Sequence, residues 1–218
     1  MTTDPTPRLR ADARRNRDRI IATARDVFTE RGTEVPMEEI AREAGVGVGT
    51  LYRRFPDRDS LIREVAVEAF ERLIADTHSI IEEEPDAWRA LSKLLHRASD
   101  LRTIARLTLL SPRAREILAA DPTTDAVHNR FMDTLDTLIK RAQDDGTLRT
   151  DVSTGDLGVI VGLLLQGVQV MPDEVREVLP GRYLTLLLDG LRPEAPSQLP
   201  GRAIRAEEVI FRHPEPEE

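Results

Sequence analysis

The chain contains no cysteine. That removes disulfides, thiolate metal sites and cysteine nucleophiles, and it suits a cytoplasmic setting. Aromatic residues are scarce, at 4%. No sustained alternation of β-branched residues marks a strand, whereas Leu, Ala, Arg and Glu are abundant, so the expected fold class is all-α. The longest apolar stretch, Leu157 to Val170, is too short and too interrupted by glycine to span a bilayer, so no membrane partner is expected. The opening residues, Met1 to Arg10, are polar and lack the apolar centre of a signal peptide. His78, His96, His128 and His213 show no metal-ligand spacing. Paired carboxylates, a nucleophile elbow and a glycine-rich phosphate loop are also missing. The expectation is therefore no metal, no cofactor and no enzyme.

Hydrophobic residues make up 40% of the chain and charged residues 32%, which places it among soluble globular proteins. A net charge of -8 argues against a nucleic-acid partner until its distribution is read. Residues 1–60 carry 12 Lys and Arg against 11 Asp and Glu, a net of +1, while the rest carry 19 against 28, a net of -9. Within the first part, Arg8, Arg10, Arg14, Arg15, Arg17 and Arg19 face only Asp12 and Asp18. A basic segment on an acidic body suits a protein that touches phosphate at one end only. The same run is equally readable as a soluble tail.

Residues 1–12 are rich in Pro, Thr and Arg and are expected to form a flexible arm. Ile20, Ile21, Ala24, Val27 and Phe28 recur at helical spacing in a first helix over 13–31, ended by Gly32. Met37, Ile40, Ala41 and Ala44 repeat at i, i+3, i+4 and i+7 in a short second helix opened by Val35-Pro36. Gly45 allows a turn with positive φ. A third short helix, about 47–55, carries Val48, Leu51, Tyr52 and Phe55 and stops at Pro56. Asp57 is a good N-cap for a long fourth helix to about Glu83. Further helices are expected near 86–99, 102–110, 113–120, 122–145, 153–170 and 174–190. The whole is thus a three-helix head on a larger helical bundle, about nine or more helices in total. The tail, 193–218, is rich in Pro and Glu and is expected to pack loosely, with one short helix possible over 203–211.

Residues 36–55 form two short helices joined by a tight glycine turn, the helix-turn-helix arrangement. Its second helix enters the major groove and the first braces it. Small residues at the approach (Gly47, Val48, Gly49, Thr50) and donors beside them suit this task. Thr50 offers a hydroxyl to phosphate and a methyl to thymine. Tyr52 either donates to phosphate or packs with a solvated hydroxyl. Arg53 and Arg54 either reach guanine and phosphate or form a solvated face. Arg58 lies within reach of flanking phosphate. Leu51 and Phe55 are read as core.

The stretch from Ile40 to Leu61 (IAREAGVGVGTLYRRFPDRDSL) resembles the signature of TetR-type regulators, I-A-x-x-A-G-V-S-x-G-T-L-Y-x-x-F followed by a short link and K-x-x-L. The resemblance covers about residues 14–73. Four features depart from it: Gly47 stands in place of Ser, Arg54 in place of Tyr or His, Arg58 in place of Lys, and Val35-Pro36 in place of the usual Thr. These bear on operator sequence more than on DNA binding itself.

The resemblance implies a division into a DNA-binding domain (13–60) and a ligand-binding and dimerisation domain (61–192). It implies a homodimeric regulator, a repressor released from a palindromic operator by a small-molecule effector. The last two long helices would form a four-helix dimer interface, with Gly158, Val161, Gly162, Leu165, Leu184 and Leu187 as candidates. The small residues at 158 and 162 suit an internal helix contact equally well. Trp88, Leu91, Leu95, Leu107, Leu110, Phe131, Leu135 and Gln166 are candidates for an effector pocket, with plain core as the alternative for each. His96, Arg106 and His128 either orient a ligand or lie on the surface. Two rival readings remain, an enzyme built on the helical body and a protein-interaction module with a vestigial head. Activation in place of repression also stays open.

Overall fold

The computed structural model describes residues 7–97, 99–168, 173–194, 197–205 and 208. For residues 7–11, 99–100, 109–110, 166–168, 173 and 175–178 it describes the backbone alone. Among the described residues ten α-helices follow one another: α1 (Pro7–Arg31), α2 (Met37–Glu43), α3 (Val48–Arg54), α4 (Arg58–Glu83), α5 (Ala87–His96), α6 (Ser99–Ala105), α7 (Pro112–Ala119), α8 (Pro122–Asp144), α9 (Thr154–Val168) and α10 (Asp173–Gly190). A π-helical turn, Arg106–Leu110, links α6 to α7. The described residues contain no strand, and no helix among them is long and apolar enough to cross a membrane.

The first helix begins at Pro7, not near residue 13, so the expected flexible arm is partly helical. Proline is pre-organised for a first helical turn, and residues 8–31 contain neither Gly nor Pro. Residues 1–6 lie outside the described residues. Gly32 and Gly45 both adopt positive φ, 88° and 63°, and end α1 and α2 without the penalty an L side chain would meet. The Asp57 carboxylate accepts the Ser60 N–H at 2.7 Å, and the Ser60 hydroxyl faces the Asp57 N–H in return. This capping box fixes the start of α4.

Three apolar clusters hold the molecule together. The first joins Ile20, Ile21, Phe28, Ile40, Leu51 and Phe55 to Leu61, Ile62 and Val65 of α4. It also takes in Leu107, Ala114 and Leu118, which belong to the body. The boundary expected at residue 60 is therefore not a seam in the packing. The second cluster binds α5, α8, α9 and α10 through Leu91, Leu94, Ile139, Val161, Leu184 and Leu188. The third places Phe70 and Leu73 of α4 against Phe131 and Met132 of α8.

The tail departs from expectation. The segment 197–205 runs back across the start of α9. Its Leu199 and Ile204 N–H groups donate to Asp151 and Asp156 at 3.1 Å each. Arg149 donates to the Ser197 carbonyl at 2.6 Å, and the Ser153 hydroxyl donates to the Ile204 carbonyl. Backbone donors found their partners in two aspartates, a pairing that composition does not reveal. The short helix thought possible over 203–211 falls partly outside the described residues, and 203–205 are not helical.

Candidate functional site

The head presents one face of α3 to solvent. Leu51 and Phe55 point into the core, as their spacing requires. Gly47, Val48, Gly49, Tyr52, Arg53 and Arg54 are exposed and Thr50 is half-buried. Val48 at 41% and Tyr52 at 38% exposure stand one helical turn apart on this face. Among the described residues, neither Arg53 nor Arg54 has an ion-pair partner. Gly47 is the N-cap of α3 with φ -66° and no side-chain cap, the consequence of lacking a hydroxyl there. A Cβ at Gly49 would meet nothing within 4 Å. Nothing in the fold therefore demands glycine at this helical position.

Two sequence assignments change. Arg58 donates to the carbonyls of Thr33 and Val35, the latter at 2.6 Å. Its guanidinium braces the loop before α2 and is not held out toward a DNA backbone. Tyr52 donates its hydroxyl to Glu38 at 2.8 Å, which links α3 to α2. This bond raises the Tyr52 pKa, and it helps backbone hydrogen bonding lower that of Glu38. In the basic segment, Arg15 pairs with Asp12 and Arg17 with Glu64, so part of its charge is spent within the head.

The body holds a cavity of about 470 Å³. Leu91, Leu95, Phe131 and Leu135 line it, as do His128 and Leu157. Two of the other pocket candidates lie elsewhere. Trp88 sits beneath the Arg192 guanidinium, 4.1 Å from its ring centre, and Leu107 belongs to the head core. The side chains of Leu110 and Gln166 lie outside the described residues. His96 is exposed, with its ring on the Ser92 carbonyl, and does not reach the cavity. His128, whose sequence position gave no sign of burial, is buried edge-on against Phe70 at 5.3 Å between ring centres. Burial pushes its pKa down.

The cavity touches the head through the π turn. Thr108 lies on the cavity wall while Leu107, the residue before it, is fully buried in the head core. Around this point Thr29 meets Thr103 at 2.8 Å and Thr33 meets Ser111 at 3.1 Å. Arg113 pairs with Asp59 at 3.1 Å. A π turn widens one helical turn, which lets neighbouring residues serve two different surroundings.

The expected dimer residues are mostly turned inward. Gly158, Val161, Gly162 and Leu165 line the cavity, and Leu184 and Leu187 pack into the α5–α8–α9–α10 core. Among the described residues, the large apolar side chains that α9 and α10 leave exposed are Ile160, Leu163, Tyr183 and Leu186. The helical period explains the shift: the stripe at 157, 161 and 165 faces into the protomer, so the far side of α9, at 160 and 163, is left over.

Glu208 stands at the cavity rim, held by Arg202 and the Arg205 N–H, which bring its carboxyl down to about 2. A Cβ on Gly155 would collide with the Ile204 and Arg205 carbonyls. Gly155→Val is therefore expected to expel the 197–205 segment and lower stability by about 1–3 kcal/mol. Thermal melting, together with hydrogen exchange at Leu199 and Ile204, checks this.

Two short helices about a glycine turn, one with an exposed face of small residues and arginines, define a helix-turn-helix DNA-binding protein with a cavity-bearing helical body. Known proteins make the class specific. Residues 20–65 match the family described as bacterial regulatory proteins, tetR family, and residues 86–193 match the C-terminal domain of SbtR-like transcriptional regulators. The TetR transcription regulatory protein of Mycobacterium vanbaalenii is 32% identical, with 84% of this chain and 99% of that one covered at a TM-score of 0.58. The TetR transcriptional regulator SCO0520 of Streptomyces coelicolor is also 32% identical, with 81% and 98% covered and a TM-score of 0.63. An HTH-type transcriptional regulator of Staphylococcus aureus is 38% identical over 79 residues, which span 33% of this chain and 43% of that protein. The chain belongs to the TetR family of DNA-binding transcriptional regulators.

Proposed function

We propose that the protein is a cytoplasmic homodimeric repressor, released from a palindromic operator when a small molecule occupies the body cavity. The observation that carries the coupling is the π turn, where Thr108 meets the cavity and Leu107 meets the head. An occupant that favours one packing of this turn shifts the population of head positions by its differential affinity. A two-fold dimer presents two α3 helices about one DNA turn apart, which explains the need for a dimer.

In this reading Gly47, Val48, Gly49 and Thr50 approach the groove, and Arg53 and Arg54 read bases or phosphate. Selection of genomic fragments on the purified protein tests it. An enriched palindrome, a steep loss of affinity with salt and lowered transcription from that site are expected. Sequence-blind binding would overturn the regulator assignment of this head, and raised transcription would make the protein an activator.

Two smaller effects arise here. Gly49→Ala is expected to stabilise the free protein by about 0.5–1 kcal/mol, because glycine inside a helix is unfavourable. Operator affinity should fall at the same time, since the added methyl meets only DNA. Melting and fluorescence anisotropy together separate the two. Tyr52 must leave Glu38 before it can donate to phosphate. Glu38→Gln is expected to raise operator affinity about two- to fivefold, the range of an exposed charged contact, read by the same anisotropy titration.

A further inference from the structure

We infer that the cavity takes an uncharged, mainly hydrocarbon ligand carrying one polar group, and that this group meets His128. The inference rests on the reading of the cavity as the effector site and names the chemistry of its occupant.

The wall decides the class. Leu91, Leu95, Ile104, Phe131, Leu135 and Leu157 give the cavity an aliphatic and aromatic interior. Its volume of about 470 Å³ suits a drug-sized molecule. Among the described residues, the charged groups on the wall are Arg115, Glu116 and Glu208, and all three are exposed at the rim. Arg115 donates to the Thr108 carbonyl at 2.7 Å, and Glu208 is engaged by Arg202 at 2.6 Å. Among the described residues, no carboxylate or guanidinium on the wall is buried where it could pair with an ionic ligand. An ion taken into such an interior would lose its hydration without a counter-charge.

Among the described residues, two polar side chains lie on the wall and are themselves buried, Thr154 and His128. Thr154 already donates its hydroxyl to Asp136 at 3.0 Å. His128 packs edge-on against Phe70, both rings lie on the cavity wall, and burial favours the neutral imidazole. A neutral imidazole carries one donor and one acceptor, so it can meet a hydroxyl or a carbonyl but offers no full charge to an anion. Orientation of the ligand then comes from a single polar contact in an apolar chamber, which is how such pockets gain specificity.

The test uses the full-length protein and Nile red, an uncharged fluorescent probe, displaced by two matched sets. One set is 1-decanol, decanoate and decylammonium; the other is 2-naphthylmethanol, 2-naphthoate and 2-naphthylmethylammonium, with 2-methylnaphthalene as the hydrocarbon. At least one alcohol should compete about 100-fold better, or more, than either of its ions. His128→Phe should weaken that alcohol about tenfold and leave 2-methylnaphthalene unchanged. His128→Gln, which keeps a donor and an acceptor, should recover most of the loss. Melting curves confirm that each variant is folded.

Competition by an ion equal to that of its alcohol would overturn the inference. So would an equal loss of alcohol and hydrocarbon in His128→Phe, or a failure of Nile red to bind a protein that still binds its operator. Operator binding is followed separately. An alcohol that binds tightly without moving operator affinity would leave the ligand class standing and defeat the effector reading. A charged molecule that releases the operator from the cavity would do the reverse.

Discussion

Replacing Leu163 and Leu186 together by glutamate is expected to yield a monomer and to weaken operator binding by about 10²–10⁴-fold. The two leucines are 58% and 63% exposed. Ile160 and Tyr183 lie one helical turn before them and are also exposed. Single exposed apolar residues are ordinary, but four on a pair of packed helices form a patch that water disfavours. A second copy, related by a two-fold axis, would cover the same patch on both sides. Two glutamates on each side would then bring like charges into an apolar contact. Loss of the dimer removes the linkage of two half-site contacts, which is the source of the affinity loss. Analytical ultracentrifugation reads the mass and anisotropy reads the affinity. A double variant that stays dimeric would put the interface elsewhere. Val161→Glu gives a contrast: it buries a charge inside the protomer and should lower melting temperature first.

The second large effect is expected from Arg53→Ala combined with Arg54→Ala. A side chain that reads a base edge bidentately contributes about 1–3 kcal/mol, and one that pairs with phosphate lowers affinity for all sequences alike. If one arginine does each, the double variant loses specificity and part of its salt dependence together. Its fold should be unaffected, because both side chains are exposed and without an ion-pair partner among the described residues. Anisotropy on specific and scrambled duplexes across a salt series checks this. Unchanged affinity at every salt concentration would assign the pair to a solvated face. Arg58→Ala should behave differently, lowering stability, since its guanidinium holds the Thr33 and Val35 carbonyls.

The head was legible in the sequence because its signals are local. Apolar spacing, Gly32, Gly45, Pro56 and the Asp57 cap each act within a few residues, and all four breaks fall where chain chemistry puts them. What sequence left open depends on partners far along the chain. The role of Arg58 is set by carbonyls of residues 33 and 35, and burial of His128 by Phe70. The face of α9 that stays exposed depends on which stripe α5, α8 and α10 consume. An apolar helix without a polar face gives no hint of which side that will be. Gly155 carried no local signal at all, because its neighbour in space is a carbonyl from residue 204.

The crossing at Gly155 bears on the order in which the chain becomes complete during synthesis. Every helix around the cavity has been made before residues 197–208 appear. Asp151 and Asp156 have local partners in Arg149 and the Ser153 N–H, but the rest of their contacts, and that of the Ser153 hydroxyl, come from a carbonyl and donors made some 50 residues later. Domains fold as they leave the ribosome, from the N-terminal side. The DNA-reading head can form early, but the rim of the cavity is set last. A nascent chain halted before residue 197 would hold a reader whose chamber still stands open.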